Sequence, residues 1–150
     1  MNISVDTANR KKLKSLLLSL DPAAKPLWGK MSAQQMVEHM VRQIEFSNGK
    51  RVTTCDLPAE EAAIAKEKWI YTDAQIPRNL ALGPLPANLY PDMKAAIKQL
   101  MAELEDFDLY FEEPDMTAIH AGYGAMEYNE WLIWHGKHFT HHLMQFGLLN

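Results

Sequence analysis

Between Met93 and Phe107 the apolar residues Met93, Ile97, Leu100, Met101, Leu104 and Phe107 recur every three or four positions, a spacing that lays them on one side of an α-helix. The same period runs through Leu13, Leu16, Leu17 and Leu20, and again through Met36, Val37, Met40, Val41 and Ile44. Runs that alternate apolar and polar residues, the mark of a half-buried strand, are hard to find anywhere in the chain. The fold class predicted is therefore all-α.

Prolines, glycines and caps divide the pattern. A first helix over residues 7–20 is ended by Asp21-Pro22, because proline disfavours helical geometry in the residue before it. Ser32, with Gln35 three residues on, forms a capping-box signature for a second helix that runs to Asn48-Gly49. A shorter third element covers residues 58–71. The stretch holding Pro77, Pro84, Pro86 and Pro91 reads as an ordered but irregular connection. Helix resumes near Pro91 and stops before Pro114, and a last helix over residues 127–148 follows the Gly122-Tyr123-Gly124 turn. Four principal helices joined partly by long connections predict a four-helix bundle with crossovers. At 47% hydrophobic content and with no low-complexity divider, residues 1–150 read as one domain.

Charge and cysteine content narrow the function classes. A formal net charge of −4 gives no basic footprint, and the cluster Arg10, Lys11, Lys12 and Lys14 solvates the outer face of the first helix, so nucleic acid is not expected as a partner. The single Cys55 cannot form an internal disulfide, and no signal-peptide pattern opens the chain, so a reducing, cytoplasmic setting is expected. No apolar run approaches the roughly 18 residues of a spanning helix, so no membrane partner is expected either. Several Met and Trp residues allow an apolar helix face that would pair two copies as a homodimer, on a face the sequence does not single out.

Chemistry concentrates in the last helix. His138, His141 and His142 lie within HGKHFTHHLMQF, while His39, His120 and His135 are the only other histidines. At 100° per residue, His135, His138 and His142 fall within about 60° of one another, with Trp131 and Gln145 on the same stripe and His141 pointing away. Beside that stripe run Leu132, Phe139, Leu143 and Phe146, which face a core. Imidazoles four residues apart, such as His138 and His142, can share one metal ion, and His39, on the flank of the second helix, could supply a third nitrogen. The spacing alone leaves open that these histidines bond carboxylates and water instead. The aromatics Trp131, Trp134, Tyr123 and Phe139 read as core before they read as pocket, Cys55 as a packing residue, and Glu60-Glu61 and Glu112-Glu113 as solvated surface.

The segment Trp28-Gly29-Lys30-Met31-Ser32-Ala33-Gln34-Gln35-Met36-Val37-Glu38-His39-Met40 resembles the loop and second-helix start of DinB/YfiT-like proteins, and His138 to Gln145 resembles that superfamily's HxxHHxxQ signature. His120 to Gly124, Glu130-Trp131 and the terminal histidine run are similar to the branch labelled as a domain of unknown function, DUF1569. The resemblance implies that His39, His138 and His142 bind a divalent ion, zinc or nickel before iron or manganese, with Gln145 orienting a ligand. A second register, aligning Trp134-His135 with relatives that begin on a tryptophan-histidine pair, would put a ligand at His135 and the next at Phe139, which cannot coordinate. In the preferred register His135 is the candidate catalytic general acid/base, and His120 either nears the pocket or anchors its loop.

By the same resemblance, the function expected is a metal-dependent hydrolase or a low-molecular-weight-thiol transferase acting on a small-molecule substrate. Its specificity would be carried by residues 80–90 and 120–128. The alternative is a non-catalytic helical module that binds a small molecule or a partner without metal.

Overall fold

The computed structural model describes residues 6–78 and 83–150. Among them are five helices, α1 (Arg10–Leu18), α2 (Ala33–Glu45), α3 (Ala59–Ile70), α4 (Met93–Tyr110) and α5 (Tyr128–Gln145), and one hairpin, β1 (Ala118–His120) and β2 (Gly124–Met126). The chain is mostly helical. This is compatible with the all-α expectation, to which the structure adds one small hairpin: β1 and β2 pair antiparallel in the register Ala118 to Met126, Ile119 to Ala125 and His120 to Gly124. Strands of three residues are too short to show an alternating pattern. Trp131 fixes this hairpin to α5 by donating its indole N–H to the Ala118 carbonyl at 3.1 Å.

Local chemistry sets the helix ends. Asn9 and Asp92 accept from the backbone of Lys12 and Ala95 and so cap α1 and α4. The Ser32 and Gln35 capping box forms as the sequence predicts, and Glu127 with Glu130 builds a second one at the start of α5. α2 ends at Glu45, before Asn48-Gly49, and the chain turns through Ser47, whose N–H donates to Ile44. Gly49 follows at φ +84°, where a Cβ would lie 2.9 Å from the Tyr110 ring, so only glycine fits.

The predicted apolar stripes are the core. Leu13 and Leu17 of α1, Met36, Met40 and Ile44 of α2, Ile97, Leu100, Leu104 and Phe107 of α4, and Trp131, Phe139 and Leu143 of α5 are all buried. α2 packs chiefly on α4, while α5 lies against α2 and α3. Polar groups then tie the long connections to the helices. Buried Glu38 accepts from the backbone N–H of Leu89 at 2.7 Å and from Gln34 at 2.9 Å, and Gln34 and Gln35 donate to the carbonyls of Tyr90 and Pro86. On the other side Lys137 donates to the carbonyls of Trp69, Thr72 and Ala74. These contacts tie one end of the α3–α4 connection to Lys137 of α5 and the other to the first half of α2. No helix among the described residues is long and apolar enough to cross a membrane.

Candidate metal centre

α2 and α5 meet where His39 opposes His138 and His142. The Nε2 atom of His138 lies 3.0 Å from Nε2 of His39 and 3.0 Å from Nε2 of His142. One ligand nitrogen from each residue lies within 4.8 Å of the others, close enough to hold a metal ion. The i,i+4 spacing on α5 stacks His138 and His142 on one face, and the antiparallel approach of α2 supplies the third ring.

The protonation pattern of the site can be read from its neighbours. Gln145 donates its amide N–H to the Trp28 carbonyl at 3.0 Å, which fixes which end of the amide is oxygen. That oxygen, 2.8 Å from His142 Nδ1, then accepts the Nδ1 proton, leaving a lone pair on His142 Nε2 facing the cluster. Burial, before any other cause, pushes His39 down to about 3 and His142 down to about 4, and it lowers His138 as well. The three rings are therefore neutral near pH 7. A single proton on His138 cannot satisfy both 3.0 Å contacts with good geometry, whereas a divalent cation satisfies all three lone pairs together. Four-coordinate zinc with bonds of about 2.0–2.1 Å separates its nitrogens by about 3.3 Å, so the two 3.0 Å separations need to open by only about 0.3 Å. The residues fit the ion.

The three rings differ in how they are held. His142 has the usual arrangement of a metal-binding imidazole, with its second nitrogen hydrogen-bonded. His138 does not: its Nδ1 is buried without a partner, and its orientation comes from stacking parallel to Trp134, 4° between planes and 5.5 Å between centroids. Around the cluster lies a cleft of ≈ 610 Å³ whose lining includes Trp28, Gln43, Arg78, Leu85, Trp134 and His141. Its mouth gives a small molecule access to the three nitrogens.

The other histidines are placed differently. His135 is 0% exposed and sits one turn below, with Nε2 2.7 Å from Ser47 Oγ; Ser47 spends its own proton on the Ile44 carbonyl, so His135 donates. It is neither in the cluster nor on the cleft wall. His120 anchors its loop, accepting from Gly122 N–H at 3.0 Å and stacking on Tyr123. His141 is not one of the three clustered rings and lines the cleft beside Trp28.

Of the aromatics, Trp131 and Phe139 are core, Trp134 lines the cleft, and Tyr123 lines a separate surface cleft with Cys55. Of the expected specificity loops, Gly83 and Leu85 reach the metal cleft, residues 80–82 lie outside the described residues, and the 120–128 turn faces the Cys55 cleft instead. Sequence reasoning missed Trp28 and Arg78 as wall residues; a tryptophan before the α2 cap and an arginine after Pro77 carry no periodic signal.

Searches of protein-family models, curated proteins and solved structures find no match to this chain.

Proposed function

We propose that the chain is a metal-dependent enzyme of DinB/YfiT-like architecture, in which His39, His138 and His142 hold one divalent ion. The convergence of three neutral Nε2 atoms at the base of an open cleft carries this reading. Three protein ligands leave further positions for water or substrate, the arrangement of a reactive rather than a purely structural site. A bound ion would supply Lewis-acid polarisation and lower the pKa of a water or thiol, which serves hydrolysis and thiol transfer alike.

The chain's own residues orient that centre. Gln145 holds the His142 tautomer, Trp134 holds the His138 plane, and the walls limit solvent. His135, expected as a general acid/base, is held by burial at about 3 and bonded to Ser47, which supports a positioning role beneath the centre. His141, on the cleft wall and half-buried, is the better-placed proton carrier.

Cobalt substitution tests the reading. Addition of Co(II) to metal-free protein is expected to saturate at one ion per chain with the visible bands of a nitrogen-ligated low-coordinate site. A low-molecular-weight thiol should then add a sulfur-to-cobalt charge-transfer band if the thiol chemistry holds. Uptake without that band would favour hydrolysis. No uptake would remove the metal reading and leave the metal-free binding module.

A further inference from the structure

A second cavity of ≈ 360 Å³ lies beside the metal cleft, with Ile70, Ile133, Thr140 and Met144 among its walls. The two spaces share Trp28, Ile76, Arg78 and His141 as lining residues. Arg78 is thus on the partition between an apolar compartment and the three histidines. Its guanidinium lies over the Trp28 ring, 4.3 Å from the centroid, which presents a flat cation with its fork of N–H donors at the edge. It is close enough to His141 to help burial lower that imidazole's pKa.

The charge around Arg78 is one-sided. Among the described residues no carboxylate lines the metal cleft, which also carries Lys30. The one carboxylate among the described lining residues of the second cavity, Asp73, lies near Lys137, whose pKa burial lowers and Asp73 partly raises back. Among the described residues no ion pair includes Arg78. The indole N–H groups of Trp28 and Trp134, both residues of the cleft wall, are buried without acceptors. A ligand bearing an anionic group would give the Arg78 guanidinium an opposite charge and could accept from these indole N–H groups.

We infer that the substrate is a small organic acid, carboxylate or phosphate ester, whose anionic group pairs with Arg78 while its apolar part occupies the second cavity. The inference rests on the metal-centre reading only for the reacting end of that molecule, which faces the three histidines. The Arg78 fork supplies bidentate recognition of the anion, and stacking on Trp28 holds the guanidinium in place. Ala74, Ile133 and Met144 select chain length by filling the compartment beyond.

Chemical-shift titrations of the whole chain, metal-free and zinc-loaded, with hexanoate, hexyl phosphate, hexanamide and acetate would test this. At least one hexyl acid is expected to bind about ten-fold or more tighter than the neutral amide, the scale of a lost charge-assisted hydrogen-bond pair. Arg78→Gln should abolish that preference, and because Arg78 is exposed the fold should persist. Arg78→Lys should restore part of it. Ala74→Phe should erase the advantage of hexanoate over acetate. Whichever acid wins identifies the anion class. Equal binding of acid and amide, or a preference that survives Arg78→Gln, would overturn the inference. Acid preference in a chain that takes up no zinc would sink the proposed metal function and leave the anion site standing.

Discussion

One turn of α5 separates two histidine environments that look alike in sequence and differ in chemistry. At the upper one, His138 and His142 meet His39, and Gln145 turns the His142 Nε2 lone pair toward the cluster. At the lower one, His135 meets Ser47 and donates its Nε2 proton into a closed hydrogen bond. Burial lowers the pKa in both places. The difference is made by α2 and the turn that follows it: His39 lies on the helix and Ser47 eight positions on, just past its end, and each decides what its opposite imidazole can do. A buried histidine is a ligand or a core hydrogen-bond donor according to which nitrogen its neighbours leave unprotonated.

The sharpest way to break this contrast is to delete one ligand at a time. His39→Ala, His138→Ala and His142→Ala are each expected to weaken metal binding by at least about 100-fold, more than the loss of an outer hydrogen-bond partner costs. His135→Ala should leave affinity within a few-fold. Competition titration with a chromophoric chelator measures both, and a His135→Ala loss equal to the others would merge the two environments into one site. Next in size is Gln145→Ala, expected to weaken the ion by about 10- to 100-fold by releasing the His142 tautomer. Gln145→Glu, which keeps an acceptor, should recover most of that loss.

The lower environment should instead report on stability. Ser47→Ala leaves His135 Nε2 buried without an acceptor, for a cost of about 1–3 kcal/mol, read from urea unfolding of the metal-free chain. The pH dependence of that stability sharpens the point. His135 titrates near 3 when folded and near 6.5 when not, so between those values the unfolded chain binds the extra proton. Its contribution is complete above pH 6.5 and is lost as pH falls toward 3, at about 1.4 kcal/mol per pH unit. His135→Phe should remove one histidine's share of that slope, leaving the share that His39, His120, His138 and His142 contribute by the same lowering. The smallest effect belongs to His141→Ala, which should leave metal affinity within a few-fold because its ring lies on the cleft wall.

What was legible in the sequence follows from range. The stripes of α2, α4 and α5, the Ser32 cap and the His138/His142 spacing are local periodicities, and each is realised. His39 and Gln145 were legible as candidates because their helices were. Partners across the fold were not: nothing near Ser47 announces His135, and nothing near Lys137 announces three carbonyls of the connection after α3. Buried Glu38 is invisible for the same reason, since the backbone N–H groups that stabilise it lie about fifty residues away. The hairpin escaped because three-residue strands carry no period, and Arg78 because a cation beside a proline reads as surface until Trp28 is placed beneath it.

The central claim is that three imidazole lone pairs were assembled for one cation, and elemental analysis tests it most directly. The chain would be purified without tag or chelator, beside His39→Ala and His142→Ala. About one divalent ion per chain is expected, absent from both variants while their folded content is retained. An ion-free chain that also refuses added zinc, nickel, manganese and iron, or an ion that survives both substitutions, would contradict it.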